Sequence, residues 1–323
     1  MGLTRIMREL LSADGGISHQ DAHVLGAALF DGGLAELETG AVLAAFALNP
    51  PGDEVLAGLR VALLERVFRL RAPGGAPRPV AIASYGGTRE HANLVPLVAL
   101  RLARFGVPVL IHGALTGGGR TGAAQVLREL GVMPCAQHAQ AQTALEEGRI
   151  AFVPTAVVAP GLARLVALRA RLGREAVLAP LDQLLDPFGG EGVLMAAGEE
   201  NDLPQLREQL VVAGDRAVLL QGTEGEVFAD PLQRPRIELV ESGTITLLFD
   251  AERGAVRGAS ALPPASDVAA TAAWTHAALA GQMPLPLPIV NQIACCLYAS
   301  GYTHDLTQAK AIVAVETGSL AVA

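Results

Sequence analysis

Lysine is almost missing from this 323-residue sequence: Lys310 is the only one, and the other 23 of its 24 basic residues are arginine. Guanidinium forks pair bidentately with phosphate and stack on bases, although a genome rich in G and C produces the same bias. Aromatic residues make up only 4% of the chain, too few for an extended base-stacking platform. Charged residues are also sparse, and the net charge of −8 does not advertise a nucleic-acid binder, which usually carries a basic domain. A local basic groove is still compatible with that total, because binding follows the local field. Three cysteines exclude a disulfide framework: Cys295 and Cys296 are adjacent, about 100° apart on a helix, and Cys135 is remote. No Cys/His spacing resembles a zinc site, so all three read as small buried side chains.

Long apolar runs are missing too. The longest stretch without Asp, Glu, Lys or Arg, 268–304, is cut by Pro284, Pro286 and Pro288. The remainder, 289–300, contains Asn291 and Gln292 and is shorter than the roughly 20 residues a membrane helix needs. Arg5, Arg8, Glu9 and Asp14 interrupt any signal-peptide core. The expectation is a soluble cytoplasmic protein with no membrane partner.

What is present is an apolar half, 51% of residues, with 36 Gly and 20 Pro that follow no fibrous period. The first seventy residues read as helices. Ser18 and Asp21 open one that Asp31-Gly32-Gly33 stops; Leu37, Ala41, Ala44, Ala45 and Leu48 give a second its stripe; Leu56, Leu59, Leu63, Val67 and Leu70 give a third its buried face. From Val80 the pattern changes. Strand-like runs at 80–83, 107–111, 150–153, 193–196 and 217–220 alternate with helical patterns at 94–105, 122–130 and 162–172. Such alternation predicts an α/β fold with a mostly parallel central sheet flanked by helices. Segments 236–240 and 244–249 read as an antiparallel hairpin, and 267–282, 289–300 and 306–317 as C-terminal helices, one of them packing Trp274.

Ligands of open α/β sheets sit beyond the carboxyl ends of the strands. Two such ends here are glycine-rich. The first is Ser84-Tyr85-Gly86-Gly87-Thr88; the second runs from His112-Gly113 through Thr116, Gly118, Gly119, Arg120 and Thr121 to Gly122. Glycine lets backbone N–H groups approach an anion, and a following helix adds a favourable dipole. Gly86, Gly87, Thr88, His112, Gly113, Thr116, Gly118, Gly119, Arg120 and Thr121 are therefore the candidate phosphate-binding residues. Neither loop matches a Walker A or dinucleotide fingerprint, and glycine turns after strands are common. His112 reads as a loop hydrogen-bonder, since no Ser or Asp partner is assigned by spacing; no catalytic residue is named.

The order of these features resembles anthranilate phosphoribosyltransferase, whose fold is shared by pyrimidine nucleoside phosphorylases. Asp31-Gly32-Gly33-Leu34, the segment from Leu172-Gly173 to Leu184-Leu185-Asp186-Pro187, and Asn291 extend the resemblance along the chain. It implies a small helical domain, 1–72 with an inserted helical stretch from about 160–185, and an α/β domain, 73–323. It also implies a homodimer formed through the helical domain, and a phosphorylated sugar held in a cleft between domains. The departures are specific. The family's Gly-Thr-Gly-Gly-Asp is here Ser84-Tyr85-Gly86-Gly87-Thr88, without the acid; His-Gly-Asn-Arg is His112-Gly113-Ala114-Leu115; the serines after it are Gly118 and Gly119, with Arg120 at the basic position. The Arg that contacts the aromatic acid falls on Ala163, beside Arg164, and the magnesium-binding Asp-Glu pair falls on Gly225-Glu226. Glu224 and Glu226 read as solvated or remnant carboxylates, with no third oxygen ligand evident, so no metal site is expected and the two are remnant candidates only.

Tyr85-Gly86-Gly87-Thr88 together with Gln221-Gly222-Thr223-Glu224-Gly225-Glu226 looks like the divergent YbiB-like branch, whose members are understood to bind nucleic acid without transferring phosphoribose. The local candidate for that role is Arg164, Arg169, Arg171 and Arg174. Arg164, Arg171 and Arg174 share a sector of about 80° beside a stripe of Leu165, Leu168 and Leu172. Arg60, Arg66, Arg69 and Arg71 extend the set; the alternative for all of them is an ordinary solvated face. The expectation is a catalytically degenerate homodimer that binds DNA or RNA irrespective of sequence and needs no cofactor. The alternative is an active transferase using magnesium and phosphoribosyl pyrophosphate, and a third reading is a module for another small anion.

Overall fold

The computed structural model describes residues 2–12, 16–75, 77–173, 177–252, 262–264 and 267–317. In chain order its elements are α1 Gly2–Leu10, α2 His19–Asp31, α3 Glu36–Leu48, α4 Asp53–Leu64, β1 Val80–Ser84, α5 Val95–Arg104, β2 Val109–Gly113, α6 Ala123–Glu129 and α7 His138–Glu146. These are followed by β3 Ala151–Pro154, α8 Thr155–Val158, α9 Pro160–Arg171, α10 Pro180–Gln183, β4 Val193–Gly198, α11 Leu203–Ala213, β5 Ala217–Gln221, β6 Ile237–Glu241 and β7 Thr244–Phe249. The last are α12 Val268–Leu279, α13 Leu287–Ser300 and α14 Leu306–Glu316. They form two compact units, Met1–Arg69 with Thr155–Pro187, and Leu70–Pro154 with Phe188–Ala323.

The first unit is helical. Ser18 caps α2 by accepting from the Asp21 amide, and Gly32, at φ 72°, closes it in the left-handed conformation that glycine adopts without cost. α2 and α4 pack through glycine: a Cβ on Gly58 would lie 2.3 Å from the His19 carbonyl oxygen. Arg164 of α9 donates to the Phe30 carbonyl at the end of α2, where a cation meets the negative pole of the helix. Arg66 pairs with Asp31 at 2.7 Å.

Two expectations for this unit are corrected. Arg169 is not a surface cation: it is 3% exposed, donates to both Asp182 carboxylate oxygens at 3.0 and 2.7 Å, and donates to the Val177 carbonyl at 2.8 Å. It lies about 140° from Arg164 on an ideal helix, pointing into the unit. On α3, the face carrying Val42, Leu43, Ala45 and Phe46 is buried, whereas Leu37 and Leu48 are 85% and 77% exposed. Arg174 lies outside the described residues.

The second unit is built on a seven-stranded sheet of order β3-β2-β1-β4-β5-β6-β7. β1 to β5 run parallel, and β6 and β7 are antiparallel additions at one edge. β1 to β4 are buried at every position, which is why they read as short apolar runs without alternation. β2 starts at Val109, two residues later than its apolar run, because Pro108 has no N–H for the ladder and the Val107 amide turns back to Leu102. Ser242 and Gly243 form the β6–β7 turn with φ of 49° and 77°, as a two-residue hairpin of type I′ requires. α7 and α11 have no counterpart in the sequence pattern: α7 buries only Ala141, Ala144 and Leu145, too little apolar surface to signal a helix.

α13 is enclosed almost throughout. Its Gln292 accepts from the Ala229 amide at 2.9 Å and donates to the Val227 carbonyl at 3.1 Å, fixing the chain that follows β5. Cys295, Cys296 and Cys135 are buried free thiols, as expected. Among the described residues no helix is long and apolar enough to cross a membrane.

Removing one partner of the Arg169–Asp182 pair leaves an uncompensated buried charge. Arg169→Ala or Asp182→Ala is expected to lose about 3–5 kcal/mol in urea denaturation, and Arg169→Met/Asp182→Leu to recover most of it. Single variants within about 1 kcal/mol of the parent would contradict the burial of this pair.

Candidate anion site at the carboxyl ends of the strands

β1, β2 and β5 end side by side or one strand apart, so their following loops converge within the second unit. Gly113 closes β2 because nothing larger fits: a Cβ there would sit 1.6 Å from the Ser84 carbonyl oxygen, which also accepts from the Ala114 amide at 3.0 Å. Thr88 and Thr121 join the two glycine loops by exchanging backbone hydrogen bonds of 3.1 and 2.8 Å. Both are buried, and Asn93 adds a side-chain bond to the Thr121 carbonyl at 3.0 Å. Gly118 and Gly119, with φ of 56° and 89°, form the tip of a turn closed between Gly117 and Arg120. Thr116 is exposed at the edge of that turn.

The amides of the first loop already hold a carboxyl group of the chain itself. Glu226 is fully buried, and its Oε1 accepts from the Gly86 and Gly87 amides at 3.0 and 2.6 Å. Its Oε2 accepts from the Ser84 hydroxyl at 2.6 Å. Burial pushes the Glu226 carboxyl above its ordinary range, against the opposing pull of Ser84, Gly87, Asn93 and Gly86. Of the two sequence readings of Glu226, a solvated carboxylate is thus corrected by its burial.

Glu224 is held separately. Its carboxylate accepts from the amides of Arg89, Glu90 and His91 at 2.6, 2.9 and 2.9 Å, with the His91 ring nitrogen at 3.1 Å. Burial opposes its ionisation, but those donors, led by the Arg89 amide, hold its carboxyl below the ordinary value. Its backbone sits at φ 53°, unusual for a glutamate.

His112 is buried within β2, its Nδ1 3.1 Å from the Tyr85 hydroxyl and the two rings edge to face. Burial drives its pKa down to about 3, so the imidazole is neutral at physiological pH. A cavity of about 400 Å³ opens beside the second loop, lined by Thr88, Arg89, Thr116 to Thr121, Gln125 and Val268. A larger, more apolar cavity of about 930 Å³, between α5, α7 and the chain around Met133, shares no residue with the loops.

Of the sequence candidates, Gly86, Gly87, Thr88, His112, Gly113, Thr116, Gly118, Gly119, Arg120 and Thr121 do fall at one end of the sheet. Gly86 and Gly87 face Glu226, Thr88 and Thr121 tie the loops, and the second-loop turn with Arg120 and Thr116 borders the cavity together with Thr88 and Thr121. Ser84, Arg89, His91 and Asn93, which complete the carboxylate seats, carried no sequence signal: their partners lie 130 or more positions away.

A magnesium ion with phosphoribosyl pyrophosphate does not fit these residues. Such a hard cation takes oxygen ligands, several from carboxylates or substrate phosphates. Both Glu226 oxygens face N–H or O–H donors, Glu224 is likewise occupied, Gly225 has no side chain, and no cluster of three His, Cys, Asp or Glu suited to a metal occurs among the described residues.

No protein-family profile matches the chain. It is 32% identical to the uncharacterized protein YbiB of Escherichia coli strain K12, over 92% of this chain and 93% of that protein. That similarity decides the family. The chain belongs to the YbiB-like branch of the anthranilate phosphoribosyltransferase superfamily. It is 29% identical to the anthranilate phosphoribosyltransferase of Desulfitobacterium hafniense strain Y51 over 61% of this chain and 58% of that enzyme. Its fold matches the crystal structure of anthranilate phosphoribosyltransferase from Thermus thermophilus with a TM-score of 0.76, at 23% identity over 98% of this chain and 94% of that one.

The seat of Glu226 sets a pH dependence. A carboxyl whose folded pKa is raised stabilises the fold fully below its unfolded value, and that contribution is lost as pH rises through the folded value. Glu226→Gln, which keeps an acceptor for the amides, is therefore expected to gain stability relative to the parent as pH rises above the ordinary glutamate range. Glu226→Ala strands the Ser84 hydroxyl and two amides, and is expected to cost at least about 3 kcal/mol. Urea denaturation at a series of pH values reads both; a parallel profile for parent and Gln variant would contradict the raised carboxyl.

Proposed function

We propose that this YbiB-like chain is a catalytically silent cytoplasmic protein that binds the phosphate backbone of DNA or RNA with little sequence preference. The observation that carries this reading is the occupation of Gly86 and Gly87 by Glu226: the glycine loop suited to a diphosphate is filled by the protein's own carboxylate. The remaining phosphate-suited groups, Arg89, Arg120, Thr116 and the amides of Gly118 and Gly119, border the cavity of about 400 Å³, large enough to seat a phosphate group. Arg164 and Arg171 are exposed on the helical unit and form a second, separate candidate patch, to which the sequence adds Arg174. Arginines of this kind pair with phosphate and carry little sequence information, in keeping with the scarcity of aromatic residues.

The transferase reading is favoured by the named activity of the Desulfitobacterium relative, and it alone calls for magnesium and phosphoribosyl pyrophosphate. The internal seats of Glu224 and Glu226 disfavour it. Self-association as a homodimer is part of the proposal. Leu37, Ala41, Ala44 and Leu48 share one face of α3 and leave two leucines largely in water, an apolar stripe that a second copy would cover.

Titration of labelled single-stranded DNA and RNA at several salt concentrations is expected to show binding that weakens steeply with salt. Arg89→Ala/Arg120→Ala and, separately, Arg164→Ala/Arg171→Ala/Arg174→Ala are each expected to weaken binding. Each set should also lower the slope of log K against log salt by about one for every phosphate that no longer has a cationic partner. No binding at low salt would remove this function. Leu37→Glu/Leu48→Glu should halve the mass measured by light scattering; an unchanged mass would place the dimer interface elsewhere.

A further inference from the structure

The cavity of about 930 Å³ lies away from the glycine loops. α5 leads into β2 and Ile150 leads into β3, so a space lined by Arg104, Gly131 and Ile150 sits at the amino ends of those strands, within the second unit. Its walls are aliphatic: Leu100 of α5, Val132 and Met133 after α6, Ile150, and Leu279 at the end of α12. On the α7 side stand Ala139 and Thr143, one turn apart and too small to fill it. Met133 is 67% exposed, and an unbranched thioether side chain in that position adapts to irregular apolar partners. Apolar walls with a few polar groups around a volume of this size are what a small-molecule site requires.

The charged groups on this lining are all cations. Arg104 ends α5 and Arg149 precedes β3; both are exposed and both border the cavity. Arg104 donates through Nη1 to the Leu279 carbonyl, and Arg149 donates through Nε and Nη2 to Glu147. One turn before Arg104, Arg101 is 5% exposed, donates to the Ala278 carbonyl, and has no partner for its Nε among the described residues. Burial and the neighbouring Arg104 charge hold the Arg101 guanidinium below its ordinary value, against the pull of the Glu316 carboxylate. The end of α5 thus concentrates positive charge in a chain of net charge −8. Guanidinium groups beside an aliphatic wall suit a ligand with an anionic head and an apolar body. Arg149 is already paired with Glu147, which favours a monoanion over a phosphate dianion.

We propose that this cavity binds an aliphatic monocarboxylate, a free fatty acid of medium length, with its carboxylate held by Arg104 and Arg149 and its chain against Leu100, Val132, Met133 and Leu279. The site shares no residue with the glycine loops or with the arginines of the helical unit, so it stands independently of the nucleic-acid reading.

The test is calorimetric titration of the full-length protein with sodium octanoate, and separately with acetate and octan-1-ol, which offer the head and the tail alone. Octanoate is expected to bind saturably, and each of the other two at least about tenfold more weakly. Arg104→Gln/Arg149→Gln should weaken octanoate about tenfold and leave octan-1-ol unchanged, while Thr143→Leu, at an exposed helical position, should fill the space and abolish both. A second readout needs no variant. Cys135 lines the cavity, whereas Cys295 and Cys296 are fully buried elsewhere, so octanoate should slow alkylation of Cys135 by iodoacetamide, read by mass spectrometry. Octan-1-ol bound as tightly as octanoate would reduce the space to a non-selective apolar surface and overturn the proposal. Folded arginine variants with unchanged octanoate affinity, or no saturable heat with Cys135 alkylated at its original rate, would overturn it equally.

Discussion

The carboxylate of Glu226, closed inside the glycine loop that follows β1, is the interaction on which the rest of this site depends. It joins the ends of β1 and β5 across strand β4, satisfies the Gly86 and Gly87 amides and the Ser84 hydroxyl, and carries no exposed surface. A buried carboxylate is tolerated only when its oxygens are hydrogen-bonded, and here they are. The cost of desolvation remains visible in the raised carboxyl pKa. The same interaction fixes the 223–226 turn and thereby places Glu224 over the amides of 89–91. One internal carboxyl group therefore determines the position of a second.

The parallel sheet makes this possible. It carries the loops after β1, β2 and β5 to one edge, where an α/β fold ordinarily receives its ligand. Gly113 has to be glycine for β2 to end beside Ser84, and Thr88 and Thr121 clamp the two loops together. The architecture of the phosphoribosyltransferase fold is thus retained, and within it the Gly86 and Gly87 amides are bonded to the chain's own carboxyl group. What a shared scaffold does is decided by the partners that the donors of its site find, not by its topology.

Much of the fold was legible from local pattern. Strands buried on both faces read as short apolar runs, and the β6–β7 hairpin declared itself through Ser242-Gly243. Local pattern failed where burial depended on distant partners. α3 presents apolar residues on more than one face, and periodicity alone chose Leu37 and Leu48, which lie in water. Arg169 looked like a surface cation because Asp182, its buried partner, sits on another short helix. The glycine loops were visible at once, since Gly after a strand is a local signal. Their occupants were not: Glu226 is 139 positions from Gly87, and nothing in the spacing of either segment reveals that they meet.

With the amides of Gly86, Gly87 and residues 89–91 bonded to Glu226 and Glu224, a magnesium-bound diphosphate has no partners among them. Calorimetric titration of the unmodified protein with phosphoribosyl pyrophosphate and magnesium is therefore expected to give no saturable heat at millimolar ligand. Stoichiometric, magnesium-dependent binding would contradict it and return the chain to the transferases.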